Sequence, residues 1–253
     1  MEHDDRLPDD RPVVLEARRL TAGYGPLAVV RDLDLTVRAG EVVALLGVNG
    51  AGKTTTVRAL AGELKPISGE VWLDGARCTA PLHKRTRQGL RLITEERSVL
   101  VSLSVADNLR LGGQERSRCL ELFPELEPLL SRKAGLLSGG EQQILTLARA
   151  LAADPAVLLA DELSLGLAPL VVERLLTAVR CAADRGTGVL LVEQQVRNAL
   201  EVADRAYVLG GGKVVLEGGT RELRGRIEEI ERTYLATAEL LPARSGGHGA
   251  STP

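Results

Sequence analysis

Apolar residues are distributed along this chain in two rhythms. Short β-like runs come first, at Val13–Leu20, Leu33–Val37 and Val42–Leu46. Farther on, compact apolar runs alternate with stretches of helical period. Ala156–Ala160 and Val189–Val192 lack polar alternation, as expected of strands buried on both faces of a parallel sheet. Ile144, Leu147, Ala148 and Leu151 fall at i, i+3, i+4 and i+7, as do Val172, Leu175, Leu176 and Val179, and each set predicts a helix with one apolar face. Strand–helix alternation of this kind predicts an α/β domain with a largely parallel sheet. From about Val105 to Leu137 the rhythm breaks. That stretch is polar, mainly helical in pattern, and holds Pro124 and Pro128, so it reads as a helical insertion. Residues 1–12 are acidic with two prolines and read as a loose tail. Residues 242–253 have no apolar period and are expected to be disordered. There is no internal repeat.

Chemistry enters where the third β-like run ends. Val42–Leu46 is followed at once by Gly47-Val48-Asn49-Gly50-Ala51-Gly52-Lys53-Thr54, which fits Gly-x-x-x-x-Gly-Lys-[Ser/Thr] with a strand before it and a helix after. Glycines allow a tight turn whose successive N–H groups point at an anion. A helix starting near Lys53 adds the positive end of its dipole. Lys53 would reach the β- and γ-phosphates of a nucleotide, and the Thr54 hydroxyl would ligate Mg²⁺. A chance match has odds on the order of one in a hundred at ordinary composition, and the strand–loop–helix context lowers them further. The loop alone predicts nucleotide binding without saying which nucleotide.

A second run, Val157-Leu158-Leu159-Ala160, ends in Asp161-Glu162. Ligands of open parallel sheets bind outside the carboxyl ends of the strands. Asp161 is therefore expected beside Lys53, helping to hold Mg²⁺, with Glu162 placed to orient and deprotonate an attacking water. Taken alone, the pair could be a solvated acidic turn; downstream of a phosphate loop it gains force.

Leu137-Ser138-Gly139-Gly140-Glu141-Gln142-Gln143 precedes the helical stripe of Ile144–Leu151. Physically this is a second helix N-terminus, able to serve as a cap or an anion site. Its wording is that of the ABC-ATPase signature, Leu-Ser-Gly-Gly-x-Gln, and its place between the phosphate loop and Asp161 agrees. The chain resembles an ABC transporter nucleotide-binding subunit from about Val13 to Leu241. That resemblance implies an ATPase domain over residues 13–241 with a mainly parallel sheet core, an N-terminal antiparallel β subdomain and an inserted α-helical subdomain at about 97–153. It implies ATP contacts from Tyr24 (stacked on adenine), Gly47, Asn49, Gly50, Ala51, Gly52, Lys53, Thr54, Thr55 and Glu95. Catalytic roles fall to Glu162, Lys53 and Gln194, and Mg²⁺ to Thr54, Asp161 and Glu95. Ser138, Gly139, Gly140 and Glu141 would meet ATP held by a second ATPase subunit paired head to tail.

Three positions narrow the resemblance. Glu95 falls where most members have the Q-loop glutamine. Ser164-Leu165-Gly166-Leu167-Ala168-Pro169 matches the D-loop, with Ala168 for the usual aspartate. Gln194 falls where most carry the switch histidine, and His3, His83 and His248 all lie elsewhere. Together with Val192-Glu193-Gln194, Ala203–Leu209 and Tyr234-Leu235, these resemble the second ATPase subunit of branched-chain amino-acid-type importers. Against that branch, Thr94 and Glu96 replace Pro and Gly beside Glu95. Leu163 replaces the proline after Asp-Glu, which is expected to loosen the turn presenting Glu162. The implied partners are transmembrane permease subunits, engaged near Glu95 and the helical insertion, a second ATPase (a different chain rather than a copy), and indirectly an extracytoplasmic substrate-binding protein. The implied place is the cytoplasmic face of the membrane, as a peripheral subunit. Alternatives are the ATPase of urea or amide uptake or of lipid export, a soluble ABC ATPase acting on nucleic acid or the ribosome, and a non-hydrolysing regulatory subunit.

Bulk properties trim these options. Net charge is −2 without a basic stripe, and the chain holds only five aromatics, Tyr24, Trp72, Phe123, Tyr207 and Tyr234. Both facts argue against nucleic acid as a partner. Cys78, Cys119 and Cys181 form no CxxC pair, so neither a zinc site nor a disulfide framework is indicated. No apolar stretch approaches the roughly 20 residues that span a bilayer, and the N-terminus lacks the pattern of a signal peptide.

Overall fold

The computed structural model describes residues 10–96, 98–111 and 115–240, with side chains through Tyr234. The C-terminal tail at 242–253 and residues 1–9 of the N-terminal tail lie outside this range, as does Arg97.

The described residues build two sheets. The first is antiparallel, in the order β2–β1–β4–β5, from β1 (Val13–Tyr24), β2 (Leu27–Arg38), β4 (Ser68–Leu73) and β5 (Ala76–Arg77). The second has the order β10–β9–β3–β8–β7–β6. In it β3 (Val42–Leu46), β6 (Leu90–Ile93), β7 (Val157–Asp161), β8 (Gly188–Glu193) and β9 (Arg205–Gly210) run parallel, while β10 (Lys213–Gly219) closes one edge antiparallel. β1 and β2 each run past the apolar stretches seen in the sequence. Their register shifts repeatedly, and Arg19 (φ 45°) and Asp32 (φ 51°) take left-handed backbone within the hairpin. Such bulges break the two-residue period by which a strand is recognised.

The unbroken apolar runs have a direct cause. Successive strand residues face opposite sides, and both sides of the larger sheet are covered. Val42, Ala44 and Leu46, with Leu158, Ala160, Val189 and Leu191, enter one core beneath α5 (Gly139–Leu151), α6 (Pro169–Asp184) and α7 (Val196–Val202). Val43, Leu45, Val157, Leu159, Leu190 and Val192 enter the other, shared with α1 (Lys53–Ala61) and the antiparallel sheet. The remaining helices are α2 (Leu82–Arg87), α3 (Val105–Arg110), α4 (Arg116–Leu122), α8 (Thr220–Arg224) and α9 (Ile227–Leu240).

The helical insertion lies between β6 and β7. It is made of α3, α4, two 3₁₀ segments (Pro124–Leu129 and Ala134–Leu136) and α5. Pro124 opens the first 3₁₀ segment and Pro128 sits inside it. A proline lacks the N–H a continuous α-helix would use there, which is why this stretch is broken into short pieces. Phe123, fully buried, and Asn108, whose amide spans the Leu100 N–H (2.9 Å) and the Leu100 and Ser104 carbonyls (3.0 Å each), hold them together.

One polar knot joins the two sheets. Arg205 of β9 pairs with Glu41, donates to the Tyr207 hydroxyl at 2.5 Å, and donates to the Thr36 hydroxyl of β2 at 2.8 Å. Glu41 is only 1% exposed, and beside that arginine it accepts from the Arg38 N–H at 2.8 Å.

Candidate functional site

Strand order assembles the site. β3, β8, β7 and β6 lie side by side and parallel, so their carboxyl ends form one line. Along it follow the phosphate loop, Glu193-Gln194, Asp161-Glu162 and Glu95. Segments far apart in sequence converge there because each strand ends at the same rim of the sheet.

The loop after β3 turns into α1 through Gly52, which takes left-handed backbone (φ 106°) as the helix N-cap. A Cβ on Gly52 would stand 2.7 Å from a Val30 methyl group, so only glycine fits. Gly50 is left-handed as well, at φ 85°. Gly52 has no side chain to cap α1, so the N–H groups of the first turn remain available to an anion. Lys53 is 4% exposed and folds back over the loop, donating to the carbonyls of Gly47 at 2.8 Å and Val48 at 3.3 Å. Its ammonium also lies 3.4 Å from Glu162 Oε1.

Asp161 ends β7 at 2% exposure. One carboxylate oxygen is hydrogen-bonded by the Thr54 hydroxyl, while Oδ1 is buried without a partner. Burial pushes its pKa up to about 6. The Thr54 hydrogen bond and Lys53 pull it down, and the charges of Glu162 and Glu95 push it up. A buried acid with an unpartnered oxygen beside a threonine hydroxyl has the donor set of half a divalent-cation site, the rest to be supplied by phosphate and water. Among the described residues no group of three His, Cys, Asp or Glu gathers into a metal cluster, so protein side chains alone do not complete one.

Glu162 has φ 51°, a left-handed backbone that costs a non-glycine residue about 1–3 kcal/mol. Its N–H donates to the Val192 carbonyl at 2.9 Å. Leu163, expected to leave this turn loose, is 1% exposed within the first core. Packing and the Val192 bond hold the turn where a proline ring does not.

Gln194 follows β8 and is exposed, as is Glu95 after β6. Glu95, Glu96, Gln142, Gln143, Glu162 and Leu163 line part of a pocket of about 360 Å³. Gln142 and Gln143 come from α5, so the helix begun by Ser138 reaches the acidic rim in the same chain. Ser138 itself does not line that pocket. It is exposed and forms a reciprocal cap: its hydroxyl accepts from the Glu141 N–H at 3.3 Å, and Glu141 Oε2 accepts from the Ser138 N–H at 2.6 Å. That bond holds the Glu141 carboxyl below its ordinary range. Gly140 permits the close approach of α6, because a Cβ there would lie 3.0 Å from Val171.

Tyr24 ends β1 and is 48% exposed, free to offer a ring face. The Tyr234 hydroxyl of α9 lies against the Gly47 backbone, so the C-terminal helix touches the first residue of the phosphate loop. The buried acid Glu193 and its partner Ser164 were not singled out as chemical groups in the sequence. The one available signal was a glutamate ending an otherwise apolar strand.

The family model described as ABC transporter matches residues 30–164. The high-affinity branched-chain amino acid transport ATP-binding protein BraG of Pseudomonas aeruginosa is 37% identical over 80% of this chain and 91% of its own length. The lipopolysaccharide export system ATP-binding protein LptB of Escherichia coli K12 is also 37% identical, over 87% of this chain and 96% of its own. A solved ATP-binding subunit of an ABC transporter superposes with a TM-score of 0.76 at 28% identity, covering 89% of this chain and 99% of its own.

Proposed function

Because this chain belongs to the ABC transporter family of ATP-binding subunits, and is thereby an ATPase, we propose that it powers the uptake of branched-chain or other small amino acids. ATP-binding subunits of this family work with transmembrane permease components. Among the described residues no helix is long and apolar enough to cross a membrane. In our reading the chain sits at the cytoplasmic face, paired with a second, different ATPase subunit and supplied by an extracytoplasmic binding protein.

ATP enters with its phosphates on the N–H groups of residues 47–55 and its adenine against Tyr24. Lys53 exchanges its loop carbonyls and Glu162 for the β- and γ-phosphates, which frees Glu162 at the moment substrate arrives. Glu162 then takes the proton of the attacking water. Gln194 hydrogen-bonds the γ-phosphate without adding the charge a histidine could carry. Thr54 and Asp161, with its unpartnered Oδ1, fit a Mg²⁺ ion, and Glu95 adds negative charge nearby. Such an ion would supply positive charge against the β- and γ-phosphates. Ser138, Gly139, Gly140 and Glu141 address the ATP of the partner subunit.

The observation that supports uptake over export is the run Val192-Glu193-Gln194, which puts glutamine in the place of the switch histidine; BraG and LptB are equally similar at 37% identity. Deleting the gene should abolish uptake of labelled leucine by intact cells. The wild-type gene should restore it and one carrying Glu162→Gln should not, although that variant still binds ATP. Unchanged leucine uptake with altered outer-membrane lipopolysaccharide would move the assignment to export, the role for which LptB is named.

A further inference from the structure

β8 reads Gly188-Val189-Leu190-Leu191-Val192 and then ends in a buried glutamate. Glu193 is 2% exposed and lies level with Leu46, the last residue before the phosphate loop. Burying a carboxyl costs several kcal/mol unless its oxygens are satisfied, and an apolar residue would end this strand at lower cost. Both oxygens are satisfied by one residue: Oε1 accepts from the Ser164 N–H at 3.1 Å and Oε2 from the Ser164 hydroxyl at 2.6 Å. Ser164 is itself 4% exposed. Burial pushes the Glu193 pKa up to about 7, the two Ser164 bonds pull it down, Glu162 pushes it up, and Lys53 pulls it down.

The positions of the two partners give the contact its meaning. Ser164 stands two residues after Glu162, at the head of the loop leading to Ala168. Glu193 stands one residue before Gln194. The bidentate bond therefore ties the segment that presents the water-activating acid to the strand that presents the γ-phosphate ligand. Glu162 adds a bond of its own to the same strand, from its N–H to the Val192 carbonyl at 2.9 Å.

We propose that Glu193 is a positioning residue for hydrolysis: its two hydrogen bonds to Ser164 hold Glu162 and Gln194 in a fixed relation. The proposal rests on the roles given above to those two residues. It requires geometry rather than charge at position 193. Glutamine preserves both bonds, with Oε1 accepting from the Ser164 N–H and Nε2 donating to the Ser164 oxygen.

The test is steady-state ATPase kinetics on the full chain in its assembled complex. Glu193→Ala should lower kcat at least about 10-fold while the KM for ATP stays within about 2-fold, the pattern of an interaction that matters in the transition state. Glu193→Gln should recover most of that loss. Ser164→Ala should lower kcat by a smaller factor, and the double Ala variant should be no slower than Glu193→Ala, since both remove one contact. Wild-type kcat in Glu193→Ala overturns the proposal, as does a raised KM with kcat unchanged, or equal losses for Ala and Gln. If Glu193→Ala fails to fold, Ser164→Ala decides: unchanged kcat there overturns it. Glu162→Gln is the control, because turnover surviving in that variant defeats the assignment of the base and leaves the Ser164–Glu193 result to be read separately.

Discussion

Asp161→Asn should stabilise the ligand-free protein while destroying its Mg²⁺-dependent activity. The Asp161 carboxyl titrates at about 6 rather than 3.8, chiefly because it is buried. At about 1.4 kcal/mol per pH unit, that difference means the folded, metal-free protein carries about 3 kcal/mol of unfavourable charge at neutral pH. The sign follows from proton binding. Between 3.8 and about 6 the folded state holds the proton and the unfolded state has lost it, so stability falls as pH rises through this window and stays low above it. Asparagine never ionises. Its carbonyl can still accept from Thr54, and its amide nitrogen can occupy the place of the unpartnered Oδ1, facing the negative charges of Glu162 and Glu95. We expect a gain of about 1–3 kcal/mol at pH 7. With about 2–4 °C per kcal/mol for a domain of this size, the midpoint should rise by roughly 3–10 °C. Thermal unfolding in EDTA without nucleotide, from pH 4 to 8, measures it. The gap should shrink as pH falls through 6 and close toward 4. With Mg²⁺ and ATP present the order should reverse, because only the wild type gains the full ligand contribution. A variant less stable than the wild type at pH 7 in EDTA, or a gap that ignores pH, would refute the reasoning.

Three further outcomes follow from other parts of the molecule. Arg205→Ala removes the arginine paired with buried Glu41, leaving that carboxylate the Arg38 N–H, and should cost about 3–5 kcal/mol, read as a lower midpoint in urea; a loss below about 1 kcal/mol would show that the knot between the sheets is ornamental. Tyr24→Ala should weaken ATP binding by about 1–3 kcal/mol if the ring stacks on adenine, with kcat at saturating ATP preserved, and calorimetric titration would show no change if it does not. With a different chain as the partner ATPase, complexes carrying Lys53→Ala or Ser138→Ala each keep one of the two sites, so each should retain part of its turnover and mixing them should add nothing, whereas in a self-pairing subunit each substitution removes both sites. Recovered turnover on mixing would instead reveal a self-pairing subunit, since a mixed dimer then holds one intact site.

Much of this architecture is legible in the sequence. Unbroken apolar runs predicted strands covered on both faces, and β3, β7 and β8 are such strands because each alternates its side chains between two cores. The phosphate loop and the acidic pair were legible because their chemistry restricts residue type at fixed spacing. The hairpin of β1 and β2 was only half visible, since its bulges scramble the period. Leu163 read as a defect when compared with a proline, but its burial supplies the restraint by other means. Glu193 stayed silent because its partner lies 29 residues away along the chain, and no local pattern encodes that contact. Asp161 was expected beside Lys53, but the direct Lys53–Glu162 contact was not, because the start of α1 and the turn after β7 meet only in the folded sheet.

The reciprocal cap at Ser138 restricts what position 138 can be. Ser, Thr, Asn and Asp all cap helices well, and folding alone would accept any of them. An aspartate would set a negative charge where, in the proposed function, the partner's ATP phosphate approaches. Asparagine can accept from the helix and donate outward only by dividing those tasks between two atoms. A hydroxyl does both from one oxygen, taking the Glu141 N–H on its lone pair while its own proton can turn from the Glu141 carboxylate to an outside acceptor. A variant library at this codon would therefore sort twice, with all four capping residues passing a screen for folded yield and only the hydroxyl residues passing one for turnover.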